Sequence, residues 1–248
     1  MNADVVYTGR DLEAMSFAVN YHRWILQVFT PYLGSHVVEV GAGKGSFSEL
    51  LLERRPHSLS LVEPSAAMHA QLVERLKPLS TISTEVVTYQ TTFEHAADQI
   101  RVTQHPDSII YVNVLEHIAD DQTELTTISR TLEKGGRVFI FVPALSWLFG
   151  SFDKRIGHYR RYTRSELAAK CASAGLKVIL ANYFDFIGVA PWWIKYRLLK
   201  SEQLETTAVK FYDDYVVPLA KAIESAVSPP IGKNVILIAE KVSTPPGD

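Results

Sequence analysis

From His36 to Val142 the chain alternates five times between a short apolar run and a stretch with helical spacing. The runs are HVVEV, SLSLVE, TEVVTY, DSIIYVNV and GRVFIFV. They are apolar along their length rather than on every second residue, as strands are when both faces are covered. The intervening stretches carry their own start and stop signals. Phe47 to Arg55 is stopped by Pro56, and Ser65 caps a helix to Lys77 before Pro78. A helix-like stretch runs to Ile100, and Asp120 caps a helix to Lys134 with Gly135 as its left-handed stop. Such alternation predicts an open, mostly parallel sheet with helices on both faces.

The flanks are less regular. The first 33 residues read as helical, with Met15, Val19, Trp24, Leu26 and Phe29 as an apolar stripe closed by Pro31 and Gly34. After the fifth run comes an irregular stretch, Pro143 to Tyr162. Thr163 and Glu166 then form a capping box for a helix ending at Gly175. LKVILANY and NVILIAEK predict a sixth and a seventh strand. Between them, Asp185 to Pro230 is aromatic-rich and helical in pieces, and STPPGD is a frayed tail. The 248 residues, 47% hydrophobic, suffice for one domain with insertions around a sizeable core.

Charge and cysteine content narrow the function classes. With 25 basic and 27 acidic residues the net charge is −2, which argues against nucleic acid as partner. The one cysteine, Cys171, excludes an intramolecular disulfide framework and a cysteine-rich metal site. The N-terminal MNADVVYTGRDLE carries acids where a signal peptide needs an apolar core. Val138 to Phe149 is the longest apolar stretch, broken by Pro143 and Ser146, and falls short of the roughly 20 residues a membrane span takes. The expectation is a soluble, reduced, cytoplasmic protein.

Chemistry concentrates first at Glu39-Val-Gly41-Ala-Gly43-Lys-Gly45-Ser46, between the first strand and the first crossover helix. Ligands of open parallel sheets bind at the carboxyl ends of the strands, and glycines there let a ligand lie against bare backbone. Glu63 ends the second strand, where such folds hold ribose hydroxyls. A dinucleotide fits poorly: the third glycine of G-x-G-x-x-G would stand at Ser46, and the carboxylate of Glu39 repels a pyrophosphate but suits a cation.

The succession VVEVGAGKGSF, Glu63, NVLEHIADD and LEKGGRVFIFVP resembles the ordered motifs of class I S-adenosylmethionine-dependent methyltransferases from about His36 to Pro143. The resemblance implies a Rossmann-like, seven-stranded, mostly parallel sheet flanked by helices and ending in an antiparallel C-terminal hairpin. It implies an N-terminal helical lid at 1–34 and a methyltransferase domain at 35–248. That domain divides into a cofactor half at 35–143, an acceptor-side loop and helical insertion at 144–230, and a last strand at 233–241. S-adenosylmethionine is the implied cofactor. Gly41, Ala42 and Gly43 would pass along its methionine part, Glu39 hold its amino end and Glu63 accept its ribose hydroxyls. Pro64 and Met68 stand where the family packs adenine, and Asn113 and Val114 where the fourth strand meets the cofactor. Where the family often has an adenine-reading aspartate, this chain has Thr92, beside Phe93. Tyr21, in a segment that resembles a lid, would close over the cofactor, or else its helix packs on the sheet with Trp24 inward.

The cofactor class carries the activated carbon, so the protein chiefly orients the acceptor and removes a proton if one must leave. His117, after the fourth strand, and His158, after the fifth, are the candidate catalytic groups, since imidazole titrates near pH 6.5. Glu116 and His117 alone are too few ligands for a metal, so none is expected. The stretch Asp153 to Tyr162 is basic, and Tyr159, Arg160 and Arg161 are candidate contacts to an anionic acceptor; the alternative is a solvated loop whose arginines pair with acids. Trp192, Trp193, Tyr196 and their neighbours, interleaved with Lys195, Arg197 and Lys200, form an apolar lid, a membrane-facing or lipid-contacting helix, a core helix or a homodimer face. The expected reaction is transfer of a methyl group to a small or medium organic acceptor, at oxygen before carbon or nitrogen. The rivals are a non-catalytic cofactor-binding partner protein and an NAD-type oxidoreductase.

Overall fold

A computed structural model describes residues 18–79, 83–201 and 205–242. Met15, the rest of the stretch before Ala18, and the tail at 243–248 lie outside the described residues.

The described residues form seven strands, β1 (His36–Val40), β2 (Ser58–Val62), β3 (Glu85–Tyr89), β4 (Ser108–Val112), β5 (Arg137–Pro143), β6 (Leu176–Phe184) and β7 (Asn234–Lys241). They form one sheet in the order β3-β2-β1-β4-β5-β7-β6. The first five are mutually parallel: Val38 lies opposite Ser60 of β2 and Ile109 of β4. β7 enters antiparallel between β5 and β6, with Phe139 opposite Ile238. This is the Rossmann-like architecture with an antiparallel C-terminal hairpin, in which β7 runs against the other strands.

The alternation of side chains along each strand explains why the runs are apolar throughout. Val38, Val40, Ile109, Tyr111, Val138 and Ile140 share one face. That face is covered by α4 (Phe93–Gln104), α5 (Asp121–Thr131) and α7 (Arg164–Ser173). Val37, Ile110, Phe139, Phe141 and Ile238 belong to the other, under α1 (Val19–Phe29), α2 (Ser46–Glu53) and α10 (Val217–Ala226). Tyr21, Trp24, Ile25, Leu26 and Phe29 of α1 are all buried. At roughly 1.5–3 kcal/mol for each large apolar side chain removed from water, α1 is part of the core rather than a detached cap.

The predicted caps are in place. Ser65 accepts from the Met68 N–H before α3 (Ala66–Leu76), Asp120 from Thr123 before α5, and Thr163 from Glu166 before α7. Gly135 is left-handed, at φ 77°. The irregular stretch after β5 contains a short helix, α6 (Ser151–Arg155). The aromatic region is α8 (Val189–Trp192) running into a π-helical turn (Trp193–Leu198), then α9 (Thr206–Phe211), a second π-turn (Tyr212–Val216) and α10. No helix among the described residues is long and apolar enough to cross a membrane.

Candidate active site

β1 ends in a bend made by three left-handed glycines, Gly41 (φ 70°), Gly43 (φ 55°) and Gly45 (φ 85°). At Gly41 there is a second reason for glycine. A Cβ there would stand 2.4 Å from Val114 Cγ2, so the bend and the end of β4 touch through bare backbone. Gly41 and Ala42 donate to the carbonyl of Val62, Gly45 donates to Ala42, and Gly43 donates to Glu63 Oε2 at 2.8 Å. The bend therefore keeps these four N–H groups for its own use.

Two buried carboxyls flank it. Glu63 accepts from Gly43 and, through Oε1, from the Ser65 N–H at 2.8 Å. Burial still holds its carboxyl above the usual range, against the pull of both N–H bonds. A carboxylate has about four acceptor positions, so both oxygens keep capacity for ligand hydroxyls. Glu39 is 3% exposed and accepts from the Ser48 hydroxyl. Burial, with the nearby charge of Glu63, pushes its carboxyl up to about 8. Met68 is buried, Pro64 and Thr92 are exposed, and the Thr92 hydroxyl bonds to His95 Nδ1 at 2.6 Å. Asn113 is left-handed (φ 55°) and donates its N–H to Phe141 of β5.

Tyr21 sits elsewhere. Its ring is edge-on to Trp24, Phe141 and Phe184, and its hydroxyl bridges Asp185 Oδ2 and Asn234 Oδ1, each at 3.0 Å. The reading as a closing lid residue gives way to a core residue, because the buried hydroxyl already has two partners.

On the acceptor side, a turn of 3-10 helix at Leu115–His117 follows β4, and α6 with its left-handed Gly157 (φ 84°) follows β5. Tyr162 closes that loop by donating its N–H to Pro143. His117 and His158 come together, with ring centroids 4.6 Å apart. Asp153 lies beneath them. Its Oδ1 accepts from His158 Nδ1 (2.9 Å) and Arg161 Nε (2.8 Å), and its Oδ2 from Gly150. Burial would raise Asp153, but the bonds from His158 and Arg161 override it and hold the carboxylate below its usual range. Glu116 is fully buried, and burial pushes its carboxyl up to about 7. Burial first, then the neighbouring His158, takes His117 down to about 4. So low a value makes His117 a poor proton acceptor at neutral pH and keeps it uncharged.

The basic loop differs from its expected role. Arg161 is 3% exposed, pairs with Asp153 and lies over the Trp192 ring at 4.9 Å. Arg160 pairs with Asp121 at 2.7 Å and donates to the Ala119 carbonyl. Both guanidinium groups are spent inside the chain, which corrects the picture of a free cationic rim. Tyr159 is 60% exposed and remains open to a ligand. The aromatic segment splits: Tyr196 is buried against Phe152 and Trp192, whereas Trp193, Ile194, Leu198 and Leu199 are exposed. Neither Asp153 nor Asp121 was given a role from the sequence. The one available signal was the acid in Asp153-x-x-x-x-His158-x-x-Arg161, which the excess of basic residues masked.

A family model described as a methyltransferase domain matches residues 16–181. The chain belongs to that family. Its motifs place it with the S-adenosylmethionine-dependent class I members. Solved structures of similar fold include a chain from a complex that contains the Haloferax volcanii Trm112 methyltransferase activator. It is 14% identical, with 98% of this chain and 100% of that one covered at a TM-score of 0.61. Haemonchus contortus phosphoethanolamine N-methyltransferase 2, in complex with S-adenosyl-L-methionine, is 20% identical, covering 90% of this chain and 53% of that chain at 0.59. A SAM-dependent methyltransferase from Archaeoglobus fulgidus is 15% identical, covering 87% and 91% at 0.55. No curated protein sequence matches the chain.

Proposed function

We propose that this methyltransferase binds S-adenosylmethionine in the glycine bend and methylates a small or medium organic acceptor, at oxygen in the first instance, in the space bounded by His117, His158 and Tyr159. One observation carries the reading. The bend commits the N–H groups of Gly41, Ala42, Gly43 and Gly45 internally and sets two buried carboxyls beside them. A phosphate needs free N–H donors and no adjacent carboxylates, whereas a cationic sulfur nucleoside with ribose hydroxyls needs acceptors.

Bound there, the cofactor supplies a methyl group activated by its sulfonium. Glu63, pinned by two N–H bonds, orients the ribose hydroxyls. Glu39 holds the amino end, and does so best when ionised. Val114 and Gly41 set how closely the backbone approaches. His117 and His158 line the acceptor side, where His158 is aimed by its bond to Asp153. The exposed apolar residues from Trp193 to Leu199 support an acceptor, or a lipid or protein surface, with an apolar part. The lone, buried Cys171 is in keeping with a reducing cytoplasm.

Calorimetric titration with S-adenosylhomocysteine and with NADH tests the reading. Saturable binding of the first and none of the second is expected, followed by turnover of labelled S-adenosylmethionine on a panel of hydroxyl acceptors. NADH binding, or an unoccupied glycine bend in crystals soaked with S-adenosylhomocysteine, refutes it. Binding without turnover across the panel would favour a non-catalytic partner protein.

A further inference from the structure

We propose that Glu116, His117 and His158 together form a site for one divalent first-row transition ion, beside the glycine bend. Their ligand atoms, one carboxylate oxygen and one ring nitrogen from each imidazole, all lie within 4.8 Å of one another. Around a tetrahedral ion with bonds of ~2.0–2.1 Å the ligand atoms stand ~3.3 Å apart, so modest side-chain rotation closes the set.

Two independent features point into this space. Glu116 is completely buried, and among the described residues neither of its carboxyl oxygens has a hydrogen-bond partner. Its nearest counter-group is His158 Nε2, at 3.7 Å from Oε1. A buried carboxyl is normally satisfied, so a pair of orphaned oxygens asks for a ligand. His158 is already set for one. Asp153 can only accept, so Nδ1 of His158 carries the proton and donates to it at 2.9 Å, which leaves Nε2 turned towards Glu116. A carboxylate that orients an imidazole from behind is the arrangement that surrounds metal-binding histidines. Asp153 is fixed in turn by Arg161 and the Gly150 N–H.

The donor set selects the ion. Two imidazoles and one carboxylate favour zinc, manganese, iron or cobalt over magnesium or calcium, which prefer all-oxygen sites. Three protein ligands leave coordination positions open for an oxygen of the acceptor. The site begins two residues after Val114, which touches Gly41, so an acceptor oxygen on the ion would be next to the cofactor bend. There the ion lowers the proton affinity of a hydroxyl, whose proton leaves to solvent. His117 then serves as a neutral imidazole ligand beside His158. Only this acceptor role rests on the proposed methyltransferase reaction; ion binding does not.

The test uses the full chain, treated with chelator and titrated with Co2+ alone, in the absence of cofactor. Ligand-field bands that saturate at one ion per chain and survive excess Mg2+ are expected. Pulsed EPR of the Mn2+ form should show nitrogen coupling from bound imidazole, a readout that needs no variant. Glu116→Gln and His158→Gln should abolish the bands, Asp153→Asn should weaken binding about 10–100-fold as a positioning residue, and His105→Ala on the surface should leave it unchanged. Absence of saturable binding, or bands that persist in Glu116→Gln and His158→Gln, overturns the proposal. Loss of S-adenosylhomocysteine binding with intact Co2+ bands would refute the cofactor assignment instead.

Discussion

Glu39 gives the sharpest test of how the bend handles charge. Its carboxyl, pushed up to about 8 by burial, is mostly protonated at neutral pH in the free protein. The cofactor needs it ionised opposite an α-ammonium. At pH 6 about one Glu39 in a hundred is ionised, and at pH 8 about half are. The α-ammonium of the ligand, a free amino acid, stays charged over this interval. The ionised fraction of Glu39 therefore rises about fiftyfold from pH 6 to pH 8. Affinity for S-adenosylhomocysteine, measured by calorimetry, should follow that rise. In Glu39→Gln the rise disappears, and affinity should stay nearly flat over the same interval. A wild-type profile that matches the variant's would refute the assignment of Glu39 to the amino end. Stability should move the other way. The folded chain holds a proton on Glu39 that the unfolded chain releases near its ordinary value of 4.5, so folding weakens as pH rises from there towards 8. Glu39→Gln should therefore stabilise the ligand-free protein at pH 7 by about 3 kcal/mol, from ~1.4 kcal/mol per unit. Chemical denaturation at pH 5 and pH 7 checks this, since the gain should nearly vanish at the lower value.

Four further substitutions address the rest of the site. Glu63→Ala should weaken S-adenosylhomocysteine by about 1.5–3 kcal/mol, the worth of hydrogen bonds to a charged acceptor, and unchanged calorimetric affinity would contradict its ribose role. Gly41→Ala should cost ~2 kcal/mol or more in denaturant unfolding, because its Cβ meets Val114 and the backbone is left-handed. Adding Val114→Ala should restore only the steric part, and full recovery would mean that the dihedral carries no strain. Arg161→Ala should destabilise by about 3–5 kcal/mol by stranding Asp153. A normally stable variant whose acceptor KM alone rises would reinstate Arg161 as a substrate contact.

Local periodicity made the sheet legible. Each of the first five runs is short, largely apolar and bounded by a cap, a proline or a glycine, and no tertiary contact had to be known to see it. The glycine bend was legible for the same reason: its carboxylates lie two residues before it and at the end of the next strand. Pairings across the fold were not. Arg160 and Arg161 looked like a free cationic patch because Asp121, an acid of the motif NVLEHIADD, reaches Arg160 only once α5 and the loop after β5 are packed. Tyr21 looked available because its partners, Asp185 and Asn234, bound the far side of the aromatic region. Glu116 and His117 lacked their third companion, His158, until α6 and the turn at Gly157 brought it back over the end of β4.

The placement of β7 has a consequence for how the protein is made. The strand that leaves the ribosome after all the others occupies an interior position, wedged between β5 and β6. Until residues 234–241 emerge, β5 has an unpaired flank and β6 has no strand beside it, and a row of open N–H and C=O groups is what promotes wrong association. Synthesis of the preceding segments therefore yields a sheet of five strands awaiting its keystone. A nascent chain halted before Asn234 should remain dependent on chaperones, and insertion of β7 between β5 and β6 should be the event that locks the sheet.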